Sequence, residues 1–233
     1  MGRSVLHPLC VCALGAVALV GCHEVVHTVD LTVSVTEVLS PDDVRGGPPL
    51  GGVELCETDT ANCATTDAIG FAQITLPADQ EISYTLSKDG YGPFLLADVT
   101  DEAFDGTTPS MRSDALLSDF SEILMIQYPW AGGSLFLRER DLMAGVTFDL
   151  TGETAQAYYL DEEGMPALDL TATTTNGRGG FVELSPGEHQ VEFGGTATNC
   201  IPHLGWPGNA ANRVTVPVRA GHITIVSMQC DPL

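Results

Sequence analysis

Thr66-Asp67-Ala68-Ile69-Gly70-Phe71, running on through Ala72-Gln73-Ile74-Thr75-Leu76 to Pro77, is the stretch on which the fold turns. Asp67 to Gly70 carry turn chemistry: aspartate can bond backbone N–H groups two residues on, and glycine accepts a positive φ. The residues after Gly70 read as a strand, and Pro77 with Ala78 breaks it. Upstream, Val53-Glu54-Leu55-Cys56 and Cys63-Ala64-Thr65-Thr66 read as two strands joined by the polar turn Glu57 to Asn62. Residues 40 to 52, rich in Pro, Gly and Asp, form a loop. Before it, Leu31, Val33 and Val35 share one face while Thr32, Ser34 and Thr36 share the other, the period-two signature of a half-buried strand. Downstream, Ile82-Ser83-Tyr84-Thr85-Leu86 starts another.

The period then changes. Leu116, Leu117, Phe120, Ile123 and Leu124 recur at helical spacing, with Ser113 and Asp114 placed to start the helix and Pro129 limiting its extension. This predicts one short helix serving as a core-facing connector, with partner docking as the alternative. Leu135-Phe136-Leu137 opens a second β region. About 110 residues after the first turn, Thr175-Asn176-Gly177-Arg178-Gly179-Gly180-Phe181 and Leu184-Ser185-Pro186 repeat its order, and His189 to Phe193 alternate as Ile82 to Leu86 do. Two copies of one small β domain are suggested.

Pro49-Leu50-Gly51-Gly52-Val53-Glu54-Leu55, the Thr66 to Phe71 turn and Lys88-Asp89-Gly90-Tyr91 together resemble the carboxypeptidase regulatory-like domain of the transthyretin-like (prealbumin-like) β-sandwiches. The second copy keeps the central turn and the Ser185-Pro186-Gly187-Glu188 corner but has no clear K-x-G-Y ending. The resemblance implies a seven-stranded Greek-key sandwich acting as a folding, spacer or adhesion module. Enzymes that share the sandwich are not matched. The hydroxyisourate hydrolases end in Tyr-Arg-Gly-Ser, whereas this chain ends Met228-Gln229-Cys230-Asp231-Pro232-Leu233. The intradiol dioxygenases place two Tyr and two His on iron, but Tyr158 and Tyr159 are neighbours and would face opposite sides of a strand. Lys88 is the only lysine and cannot serve isopeptides in two domains.

The N-terminal segment has one cation, Arg3, and an apolar stretch from Leu9 to Val20, the layout of a secretory signal and too short to span a bilayer. Its end, Leu19-Val20-Gly21-Cys22, resembles the lipobox of bacterial lipoproteins. That resemblance implies cleavage before Cys22 and lipid on its sulfur and amine, hence an extracytoplasmic protein tethered to the bacterial envelope membrane. An aspartate after the cysteine resembles an inner-membrane retention signal. His23 stands there instead, so the outer membrane is favoured.

Cys10 and Cys12 lie in the leader, and Cys22 is the lipid position. Cys56, Cys63, Cys200 and Cys230 remain, and an oxidising compartment allows them three pairings. Sequence proximity favours Cys56 with Cys63 and Cys200 with Cys230. A zinc site would want short Cys-x-x-Cys pairs, and neither pair has that spacing. With 31 acids against nine bases, the chain carries a net charge of −22, which repels phosphate backbones and excludes nucleic acid as a partner.

His23-Glu24-Val25-Val26-His27 matches H-E-x-x-H, in which a helix sets two imidazoles on one face beside a general base. The match follows the lipid position directly and runs on into a strand, with no scaffold to hold a helix. A metal-dependent hydrolase is therefore the alternative reading, not the leading one. Asp98, Asp101, Glu102 and Asp105, and likewise Asp161, Glu162 and Glu163, offer oxygens to calcium without EF-hand spacing, so solvated loops are favoured. Trp206, on a loop, is either a sugar-stacking platform or a cover for the second core, the latter preferred.

The sequence thus predicts an all-β protein of two tandem transthyretin-like or Ig-like Greek-key sandwiches with one short connecting helix. The expected divisions are a signal peptide over 1–21, a lipidated tether over 22–29, a first sandwich over 30–104, a connector with the helix over 105–134 and a second sandwich over 135–233. The expected function is non-catalytic, without metal or cofactor: a lipid-anchored module that contacts an envelope protein or glycan.

Overall fold

The computed structural model describes residues 27–41, 46–100, 107–153 and 155–233. At the turn that opens the sequence argument, Asp67 Oδ1 accepts from the N–H of Ile69 at 2.9 Å and of Phe71 at 3.0 Å. Gly70 takes φ +81°, and a Cβ there would meet the Val35 carbonyl oxygen at 2.4 Å. Glycine is thus required twice over, by conformation and by space.

The first half runs through β1 (Thr28–Ser34), β2 (Thr36–Val38), β3 (Glu54–Glu57), β4 (Cys63–Thr65), β5 (Phe71–Pro77), β6 (Glu81–Ser87), β7 (Phe94–Val99) and β8 (Ser110–Arg112). After helix α1 (Asp114–Ile123) come β9 (Gly133–Glu139), β10 (Val146–Leu150), β11 (Tyr158–Leu160), β12 (Pro166–Ala167), β13 (Arg178–Leu184) and β14 (Gly187–Gly195). The chain closes with β15 (Ala197–Leu204), β16 (Trp206–Pro207), β17 (Arg213–Val218) and β18 (Ile223–Pro232).

One pairing scheme is laid down twice. In the first half β1 pairs antiparallel with β5, β2 parallel with β8, β3 with β4 and β6, and β6 with β7. In the second half β9 pairs antiparallel with β13 and parallel with β18, β10 with β14, and β14 with β17. The halves also differ: β4 bonds to β3, whereas its counterpart β11 crosses over to β13, and β12, β15 and β16 are added in the second half against β11, β18 and β17. Among the described residues the fold is all-β, two Greek-key sandwiches with one short helix, as expected.

Alternation assigns the faces. Ala72, Ile74 and Leu76 of β5 turn inward with Leu31 and Val33 of β1 against Tyr84 and Leu86 of β6, forming the first core. Phe148, Phe193, Val214, Val216 and Val226 fill the second. Each such side chain contributes about 1.5–3 kcal/mol when fully buried.

The two sandwiches share a sheet. Ile223, Thr224 and Ile225 of β18 lie parallel to Phe94, Leu95 and Leu96 of β7 on one side, and to Ser134, Leu135 and Phe136 of β9 on the other. A single ladder therefore runs β12-β11-β13-β9-β18-β7-β6-β3-β4 through both halves. A central parallel strand is covered on both faces, and Ile223 to Val226 read as the nearly continuous apolar run that this demands.

Helix α1 packs across the joint. Ser113, at φ −64° and ψ 154°, accepts from the Leu116 N–H at 3.3 Å and caps it. Buried Phe120 meets Tyr158 of β11 edge-on, with ring centroids 5.4 Å apart. Ser121 Oγ donates to the Leu117 carbonyl at 2.7 Å and accepts from Trp130 Nε1 at 2.8 Å, so the polar atoms of this buried helix face are satisfied. The helix is a core-facing connector.

Candidate functional site

Cys22 and residues 23 to 26 of the H-E-x-x-H match, Glu24 among them, lie outside the described residues. His27, its last residue, is exposed; its carbonyl accepts from the Ala78 N–H at 2.9 Å, and the chain enters β1 at Thr28.

Both favoured disulfides are formed. Cys56 and Cys63 are direct partners in the β3–β4 ladder, and Cys200 joins β15 to Cys230 of β18. Among the described residues, the one His/Cys/Asp/Glu grouping close enough to hold a metal is Glu54, Cys56 and Cys63, and its two sulfurs are bonded to each other. Asp161 to Gly164 form a turn: Asp161 Oδ1 accepts from the Met165 N–H at 2.9 Å and its carbonyl from the Gly164 N–H at 3.2 Å. Asp98 Oδ1 accepts from the Val99 N–H, while Asp101, Glu102 and Asp105 lie outside the described residues.

The K-x-G-Y residues act as fasteners. Lys88 Nζ donates to the Gly51 carbonyl at 2.6 Å, and the Tyr91 hydroxyl donates to Glu37 at 2.8 Å. That bond, with burial, raises the Tyr91 pKa. Tyr158 and Tyr159 do face opposite ways, one into each core. Trp206 lies half-buried on β16, and its indole N–H donates to the Ile82 carbonyl of β6.

What reading the sequence missed is a cavity of about 360 Å³ at the seam of the two sandwiches. Its floor is the shared sheet, from Arg178 of β13 through Phe136 and Arg138 of β9 and Ile225 and Ser227 of β18 to Phe94 and Leu96 of β7. Residues 107–110 and Arg112 of β8 also line it. Arg112 is buried, with Cζ 4.2 Å from the centroid of the Phe136 ring, a cation–π contact. Burial lowers the pKa of the Arg112 guanidinium, the nearby Tyr158 opposing this, and burial likewise lowers that of Arg138, where the charge of Arg140 adds to the effect and Glu139 opposes it. Arg140 and Thr108 are exposed at the mouth. The residues come from seven strands and two connections, so no local motif marks the place. The available signal was the alternation Arg138-Glu139-Arg140, with Arg178 beside Gly179, in a chain of nine bases.

No protein family's profile matches the chain, and no curated protein does. Solved structures similar to it include the minor pilin of Streptococcus agalactiae, 15% identical over 88% of this chain and 96% of that one, with a TM-score of 0.28. The shaft pilin SpaA from Lactobacillus rhamnosus GG is 12% identical over 89% and 98%, at 0.26. The Bacillus anthracis TIE protein is 14% identical over 88% of this chain, at 0.27, and the chain spans 34% of its length. Likenesses of this size carry no functional inference, and the architecture above rests on the chain's own ladders.

Proposed function

We propose that the chain is an exported, lipid-anchored protein of the bacterial cell envelope. It displays a stiff, non-catalytic pair of transthyretin-like sandwiches of the carboxypeptidase regulatory-like kind, which contact protein or glycan. The observation that carries the anchoring is Leu19-Val20-Gly21-Cys22 at the end of a secretory leader. Each buried methylene contributes about 0.8 kcal/mol, so two or three acyl chains on Cys22 hold the protein durably. The paired cysteines accord with an oxidising compartment. Stiffness follows from the β7–β18 ladder, which leaves no hinge between the sandwiches. Outer-membrane placement rests on His23 following the cysteine.

The test is expression of the full chain in a bacterium with two membranes, fed radiolabelled palmitate. The wild type takes up label and sediments with the membranes, whereas Cys22→Ser takes up none and stays in the soluble periplasmic fraction. An unlabelled wild type, or a variant that fractionates unchanged, overturns the reading.

A further inference from the structure

Four of the nine basic residues in this acidic chain, Arg112, Arg138, Arg140 and Arg178, line the seam cavity. Other described arginines meet carboxylates. Arg213 holds Glu192 through Nε at 2.8 Å and Nη2 at 2.7 Å, and Arg219 holds Asp59. The cavity differs. Arg112, only 8% exposed, has no ion pair or side-chain hydrogen bond among the described residues. Arg138 Nε is buried with no hydrogen-bond partner. Arg138 moreover stands close to Arg140, a like charge that no ion pair among the described residues offsets, and faces Arg178 across the β9–β13 ladder. Glu139 does not meet Arg138 from the cavity side. It is fully buried, outside the cavity lining, and its Oε2 accepts from the Met143 N–H.

A buried guanidinium without a counter-ion is costly, and a planar fork of N–H donors fits the two oxygens of a carboxylate or phosphate. Farther along the same floor Phe94, Leu96 and Ile225, with Leu204 of β15, offer an apolar surface, and the volume suits a small molecule. We propose that the seam cavity is a binding site for a small organic oxyanion, a carboxylate or phosphate monoester carried on an apolar body. The anionic end sits on Arg138, Arg140 and Arg112, and the body lies along the β7 and β18 side chains.

The test uses the Cys22→Ser full chain, purified without lipid. Its melting temperature is followed while benzoate, phenyl phosphate or inorganic phosphate is titrated at constant ionic strength. A saturable rise with benzoate or phenyl phosphate, exceeding that with inorganic phosphate, is expected, and whichever acts more strongly identifies the head group. Arg138→Gln weakens the apparent Kd about tenfold or more. Its ligand-free melting temperature is equal or higher, because a repulsion has been removed, whereas a purely structural arginine would lower it. Arg140→Gln, at an exposed position, weakens binding without endangering the fold, and Arg213→Gln leaves binding unchanged. No saturable rise with any probe, or an equal rise in wild type and Arg138→Gln, overturns the proposal. So does a response confined to a variant with Asp101, Glu102 and Asp105 neutralised, since the arginines would then serve the chain's own carboxylates.

Discussion

The indole N–H of Trp206 donates to the carbonyl oxygen of Ile82 at 2.9 Å, across 124 residues of chain. The bond reaches from β16 of the second sandwich to β6 of the first and lies on the same seam as the β7–β18 ladder. The halves are therefore fastened by a shared sheet, by helix α1 and by this bond together.

A joint of that kind makes unfolding cooperative. Trp206→Phe keeps the ring but leaves the Ile82 carbonyl without its donor, at a cost of about 1 kcal/mol. Urea titrations followed by tryptophan fluorescence and by far-UV circular dichroism should show one coincident transition for both proteins, shifted to lower urea in the variant. Two separated transitions would mean that the sandwiches unfold independently.

The two disulfides should differ in worth. Cys200–Cys230 closes a segment of 30 residues and both its cysteines are buried, whereas Cys56–Cys63 closes seven and Cys63 is exposed. Chain entropy alone assigns them about 3.7 and about 2.5 kcal/mol. Paired Cys→Ala replacements compared by urea midpoint test the order. Alkylation followed by mass spectrometry at rising dithiothreitol should modify Cys56 and Cys63 first.

All five tyrosines have raised pKa values. Burial is the leading cause for Tyr84, Tyr128, Tyr158 and Tyr159, and the bond to Glu37 for Tyr91. Each native hydroxyl keeps its proton beyond the pH at which the unfolded chain loses it, about 10. Their contribution to stability is then complete below pH ~10 and declines as pH rises above it, since the unfolded state binds fewer protons there. Absorbance at 295 nm should show less hyperchromicity in the folded protein near pH 10 than in the unfolded chain, then a steep rise coinciding with loss of β-sheet signal. Five independent, ordinary phenol titrations would refute this.

Local structure was legible where local physics decides it. Asp67 and Gly70 sit four residues or fewer from the groups they organise, so the turn could be read directly, as could the alternation of β1, β5 and β6 and the helix capped by Ser113. The recurrence of the Thr66 turn at Thr175 pointed to the pairing scheme that both halves share. The disulfide partners were favoured by proximity alone, and the ladders supply the reason: β3 and β4 form a hairpin, and β15 lies along β18. Trp206 was read as a cover for the second core, yet its nearest polar partner belongs to the first sandwich. No sequence spacing encodes a bond over that distance.

The sequence by itself determined the Thr66 to Pro77 turn and strand, the alternating strands β1 and β6, the Ser113-capped helix and the recurrence of the turn near Thr175, and it favoured the cysteine pairs by proximity, because turn preference, side-chain period and short loop closure act within a few residues. The tertiary structure alone decided that β18 enters between β7 and β9, welding the sandwiches into one sheet. The β9–β13 pairing opposes Arg138 to Arg178, and the fold brings buried Arg112 of β8 onto Phe136 of β9. Those encounters join residues far apart in the chain, and they exist only because long-range strand pairing gains enough apolar burial to offset the entropy of closing such loops.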